Sequence, residues 1–225
     1  MKYLTDLPTD LLCEYGLQKT LFTRRDTIYM KHIFKNIFEY GDEYDLDKKL
    51  KVLQFPSLFK YMNFITHKLR GIYKYERFFE VENADDIVKE DRGSFCKVLE
   101  LYKPLHPIVI LDFDRTITNR KFHSLYKWLL EYKFKVIINS ANPNTEEINR
   151  YMVKHDLDLP YRIYSNKGKQ KKITKLKSIA TSHSKNPIFY IDDEIEYLDY
   201  GVLLCMYCYN YRKDGKIKSY TFFQK

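Results

Sequence analysis

Asp112 and Asp114 stand two residues apart at the end of the apolar run Ile108–Val109–Ile110–Leu111, and Thr116 follows two residues later. Four apolar, mostly β-branched residues leading into acidic ones predict a buried parallel strand that presents polar groups at its carboxyl end. Side chains at i and i+2 of an extended chain share a face, so both carboxylates are expected in one small volume. Two crowded carboxylates do not both ionise cheaply unless a cation lies between them. A hard ion such as Mg²⁺, which takes oxygen ligands and leaves positions open for phosphate, is the expected partner.

Such groups need a sheet to hold them. From Pro107 onward, strand-like and helical stretches alternate: the central strand, a helix around 122–132, a strand at 134–139, a helix around 145–155 and a short strand at 161–164. A Lys-rich helix around 170–180, a strand at 187–191 and an apolar strand at 202–209 follow, and the Asp214–Gly215 turn closes a hairpin with 216–223. Alternation of this kind predicts an α/β fold, a Rossmann-like three-layer parallel sheet with helices on both faces. Ser140 falls at the carboxyl end of the second strand and Asp192–Asp193 at the end of the fourth, with Lys169, Lys171 and Lys172 at the start of the helix between. Strand ends in an open α/β sheet converge on one crevice, so these distant residues are expected to meet Asp112 and Asp114.

Taken in order, the set resembles the four motifs of the haloacid dehalogenase-like superfamily, in its capless phosphatase branch. The matching residues are Asp112–Phe113–Asp114–Arg115–Thr116, Ser140, a lysine and Asp192–Asp193, over about residues 107–210. The resemblance implies that Asp112 is the nucleophile, forming an aspartyl-phosphate, and that Asp114 serves as acid and then base. It implies that Thr116, Ser140, Asn142 and a lysine bind phosphate, with Lys172 favoured and Lys169 the alternative. It further implies that Mg²⁺ is held by Asp112, the carbonyl of Asp114, and Asp192 or Asp193. Arg115 departs from the small or acidic residue expected at its position.

Only 28 positions separate Asp112 from Ser140, and one helix and one strand use them. Neither this gap nor the one from Ser140 to Lys172 has room for a cap domain, so an open pocket and a macromolecular substrate are expected: a phosphoprotein, with a polynucleotide 3′-phosphate as the alternative. The chain carries a formal charge of +9, and residues 105–225 hold 21 Lys and Arg against 13 Asp and Glu. That surplus suits an anionic partner.

Residues 1–93 read as a helical N-terminal segment, joined to the catalytic domain at 94–225 across a border between about 93 and 104. Helices are expected from Pro8, from Thr27 to Gly41 and from Ser57 to Arg70, an acidic linker at 80–92 and a helix from Ser94 through Leu101. These N-terminal helices are a candidate surface for a protein partner. Asp42, Asp45 and Asp47 lack the glycine and glutamate of a calcium loop and read as a solvated turn. Cys205 and Cys208 form a C-x-x-C expected on one buried strand, as core and not as a metal or redox site. No apolar stretch has the length of a membrane span or signal peptide, which predicts a soluble protein of cytoplasm or nucleus without membrane contact. A capless domain behind a helical segment is also similar to the haloacid dehalogenase-like nucleocapsid-assembly proteins of baculoviruses, which implies a host nucleus or virion. Two function classes follow: a Mg²⁺-dependent phosphatase, or a structural protein that keeps the fold without turnover.

Overall fold

A computed structural model describes residues 43–56, 60, 61, 64 and 92–220 of the 225. They fall in two compact units, residues 43–64 in one and 92–220 in the other. The first contains helix α1, Glu43–Val52, followed by a turn that buries Leu53 and Phe55. The solvated turn expected at 42–47 is therefore replaced from Glu43 onward by helix, because apolar residues at Leu50 and Leu53 give the stretch a face to bury. Of the helix expected over 57–70, residues 60, 61 and 64 are described and are helical. The helices expected from Pro8 and Thr27 and the linker at 80–92 lie outside the described residues, save for Arg92.

The second unit is a Rossmann-like three-layer α/β fold. Helix α2 (Arg92–Tyr102) precedes strand β1 (Ile108–Leu111), and α3 (His123–Glu131) leads to β2 (Lys135–Ser140). Then come α4 (Thr145–Lys154), β3 (Arg162–Ser165), α5 (Lys169–Ser182), β4 (Ile188–Asp192), α6 (Ile195–Leu203), β5 (Tyr207–Tyr211) and β6 (Ile217–Tyr220). The sheet order is β3-β2-β1-β4-β5-β6, parallel throughout except for the last pair. Chain order reverses between β1 and β4, which makes their carboxyl ends the switch point of the sheet.

Strand alternation sorts the side chains into two layers. Val109, Leu111, Val136, Ile138, Phe189 and Ile191 share one core with Phe95 and Leu99 of α2 and Leu125 and Leu129 of α3. The opposite parity, Ile110, Asp112, Asn139, Tyr190 and Asp192, faces the other way, where Lys172 of α5 meets it. The connections after β1 and β2 hold no inserted domain: a turn and α3 in one, α4 in the other.

One expectation fails at the end of the chain. A strand is expected over 202–209, but Ile195–Leu203 is helical and the strand begins at Tyr207. An apolar stretch buried on all sides does not reveal by periodicity which structure it adopts. Cys205 accordingly lies in the turn, at φ 55°, and only Cys208 is on the strand. The hairpin is as expected, with Gly215 at φ 91° closing the turn on the Arg212 carbonyl.

Gly201 of α6 shows how closely this helix packs. A Cβ there would lie 2.6 Å from Cys208 Sγ and 2.8 Å from a ring carbon of Tyr190. Gly201→Ala should destabilise the domain by about 1–3 kcal/mol through overpacking, measured as a lower denaturant midpoint with unchanged slope. An unchanged midpoint would mean that α6 moves freely away from the sheet.

Candidate functional site

β1 and β4 end side by side, paired Leu111 to Ile191, and the Asp112 amide continues the ladder by donating to the Ile191 carbonyl at 3.0 Å. Asp112 and Asp192 thus leave adjacent strands on the same face, and both are buried. Between them sits Lys172, its Nζ 2.6 Å from Asp112 Oδ1 and 2.8 Å from Asp192 Oδ2. Only 2% of the lysine is exposed. Its ammonium also lies 3.8 Å from the centre of the Tyr197 ring, a cation–π contact that shields it from water.

Asp192 is held from several sides. The Tyr190 hydroxyl donates to Oδ2, and the Glu194 amide donates to Oδ1 at 2.9 Å. Asn210 of β5 donates to the Asp193 carbonyl at 3.2 Å, tying the loop after β4 to the neighbouring strand. Lys172 is fixed through its backbone, whose carbonyl accepts from Asn139 at 3.3 Å. Asn139 in turn accepts from Asn166 at 2.9 Å.

Two buried carboxylates around one lysine, with Asp193 beside them, leave an excess of negative charge. Burial raises the Asp112 carboxyl, the charge of Asp192 adds to this and Lys172 opposes it, so Asp112 is pushed up to about 8. Burial also raises Asp193, again with Asp192 behind it and Arg115 offsetting part. For Lys172, burial works to lower the pKa, but the charges of Asp192 and Asp112 outweigh it and the ammonium is retained.

The residues fit a divalent ion. One carboxylate oxygen each from Asp112, Asp192 and Asp193 lie within 4.8 Å of one another, an all-oxygen donor set in which a second positive centre would relieve the excess charge. Among the described residues, this is the group so arranged.

The Asp114 carboxylate is not among these three oxygens. After Asp112 the chain leaves the extended conformation in a wide turn, with Arg115 at φ 61° and the Thr118 amide reaching back to the Phe113 carbonyl at 3.1 Å. The Asp114 carboxylate instead accepts from Ser140 Oγ at 3.3 Å. It is exposed, as is Arg115. Arg115 Nε lies 3.0 Å from Asp193 and its guanidinium also pairs with Glu194, which gives this departure from the family pattern a place at the rim of the acidic cluster. The Thr116 hydroxyl is buried with no hydrogen-bond partner among the described residues, a costly arrangement unless water or a ligand oxygen meets it.

Other expected residues divide clearly. Lys169 is exposed and pairs with Glu196, so Lys172 alone of the two reaches the carboxylates. Ser140 is buried, accepts from the Asn142 amide at 2.9 Å and faces Asp114. The Asn142 side chain is engaged in its own turn, accepting from the Asn144 amide at 2.9 Å, with its amide group 3.4 Å from Glu147. Tyr190 and Tyr197 were not anticipated as site residues. Tyr190 carried a readable signal, since it stands two residues before Asp192 on a strand and must share its face.

Fold and site together define a class, a Rossmann-like α/β domain with a buried lysine-bridged carboxylate cluster at its switch point. No protein-family model, no curated protein and no solved structure matches this chain.

Proposed function

We propose that the protein is a Mg²⁺-dependent phosphatase of the haloacid dehalogenase type, acting on a phosphomonoester carried by a macromolecule. The observation that carries this reading is Lys172 bridging Asp112 and Asp192 at the carboxyl ends of β1 and β4, with Asp193 alongside. A structural domain has no use for buried like charges that desolvate at a cost.

Asp112, Asp192 and Asp193 would hold the ion, which supplies positive charge against the phosphoryl oxygens. Asp112 is the nucleophile: a carboxylate oxygen forms a bond to phosphorus as the ester oxygen leaves. Asp114, exposed and free of the cluster, gives its proton to that leaving oxygen and then takes one from the water that hydrolyses the aspartyl-phosphate. Lys172 keeps Asp112 oriented and offsets the charge that gathers in transfer. Ser140 aligns Asp114 through its hydroxyl, and the Thr116 hydroxyl, buried and without a partner among the described residues, is a donor for phosphate. Asp114 and Arg115 at the rim, with no domain inserted after β1 or β2, suit a phosphate borne on a large molecule.

The test is hydrolysis of an aryl phosphate by wild-type protein with Mg²⁺ and after chelation. Turnover should appear with the ion and disappear with the chelator. Rates that ignore the chelator, or no turnover by well-folded protein with Mg²⁺, would favour the structural reading.

A further inference from the structure

Among the described residues β3 is an edge strand of the sheet, and the surface it shares with α5 carries cations that no described acidic side chain answers. Arg162 and Tyr164 point to the α5 side, where the Arg162 Nη1 donates to the Tyr164 hydroxyl at 3.0 Å. The Arg162 guanidinium lies 5.6 Å and Lys175 Nζ 4.6 Å from the centre of the Tyr164 ring. Lys171 is one helical turn before Lys175 and is exposed. Arg162, Lys171 and Lys175 make no ion pair among the described residues, and α5 itself has no acidic residue. Like charges one helical turn apart weaken a helix, so this row costs stability where it stands.

Its position gives it a use. Lys171 directly precedes Lys172, which enters the carboxylate cluster, and β3 ends at Ser165, in register with Ser140. The row therefore runs outward from the site along the sheet edge. At its outer end Tyr161 is 62% exposed, with Lys135 Nζ 4.0 Å from its ring centre. Cations spaced along a groove edge and an aromatic ring open to solvent are the two features by which single strands are bound without sequence preference: phosphates over the charges, a base on the ring.

We infer that the β3–α5 edge, through Arg162, Lys171, Lys175 and Tyr161, binds single-stranded nucleic acid.

Anisotropy of a fluorescent single-stranded oligonucleotide lacking any terminal phosphate, titrated with full-length protein in chelator, separates this binding from catalysis. The triple variant Arg162→Gln, Lys171→Gln, Lys175→Gln should bind at least about tenfold more weakly and lower the slope of log affinity against log salt by about 2. Tyr161→Ala should weaken binding about tenfold with the slope unchanged. Lys213→Gln with Lys216→Gln, in the distant hairpin turn, should stay within about twofold of wild type. No binding by wild type, equal loss in the hairpin variant, or displacement by an acidic phosphopeptide or a duplex at lower concentration than by the single strand would overturn the inference. If Tyr161→Ala has no effect, stacking is absent and the assignment to single strands fails. Should wild type bind the strand but not hydrolyse aryl phosphate, the edge stands and the phosphatase reading falls; the reverse result removes the edge alone.

Discussion

Asp112→Asn should reduce aryl phosphate hydrolysis at least about 10³-fold while leaving the protein folded, since the amide cannot form the phosphoryl ester and no neighbour replaces it. The same variant should melt no lower than wild type below saturating Mg²⁺. In the folded protein Asp112 is pushed up to about 8, by burial first and Asp192 second. The unfolded chain loses this proton near the ordinary carboxyl value, so between about pH 4 and pH 8 folding must take a proton up, and stability contributed by this residue falls as pH rises through that window. An asparagine has no such linkage. Wild-type stability should therefore decline from pH 5 to pH 8 more steeply than that of Asp112→Asn, read from urea unfolding at each pH. Loss of activity together with a collapse in stability would show that Asp112 is structural.

The second large effect concerns the cation between the carboxylates. Lys172→Met keeps the length and apolar stem of the side chain and removes the charge that Asp112 and Asp192 share at 2.6 and 2.8 Å. Removing one partner of a buried ion pair costs about 3–5 kcal/mol, because the remaining charge is left without compensation. Without the lysine the Asp112 carboxyl, already pushed up to about 8, is pushed up further, so the loss through this residue grows as pH rises through that value. Unfolding of Lys172→Met should show the deficit shrinking toward acid pH and shrinking again when Mg²⁺ is added, as the ion takes over part of the lysine's role. Lys169→Met, whose parent lysine is exposed and pairs only with Glu196, should cost less than about 1 kcal/mol. Equal losses at 169 and 172 would remove Lys172 from the site.

Much of this was legible in the sequence, and the failures have causes. Alternating apolar runs marked β1, β2 and β4 and the helices between them, because strands buried on both faces leave near-continuous apolar stretches. Asp112, Asp192 and Asp193 could be placed at strand ends for the same reason. The place of the Asp114 carboxylate, on Ser140 Oγ and outside that group, could not, since the chain enters a wide turn directly after Asp112 and no glycine or proline marks it in the sequence. The choice between Lys172 and Lys169 turns on which side of α5 faces the sheet, and a helix rich in lysine all round blurs that face. The run from Val202 is helical to Leu203 and a strand only from Tyr207, and an apolar stretch that suits either structure does not show where one gives way to the other.

The proposed chemistry requires a divalent ion at Asp112, Asp192 and Asp193. Titrating Mn²⁺ into wild-type and Asp192→Asn protein, followed by electron paramagnetic resonance with Mg²⁺ as competitor, tests it most directly. One ion per chain, displaced by Mg²⁺ and lost in the variant, is the predicted result. Binding that survives Asp192→Asn, or none to folded wild type, would contradict it.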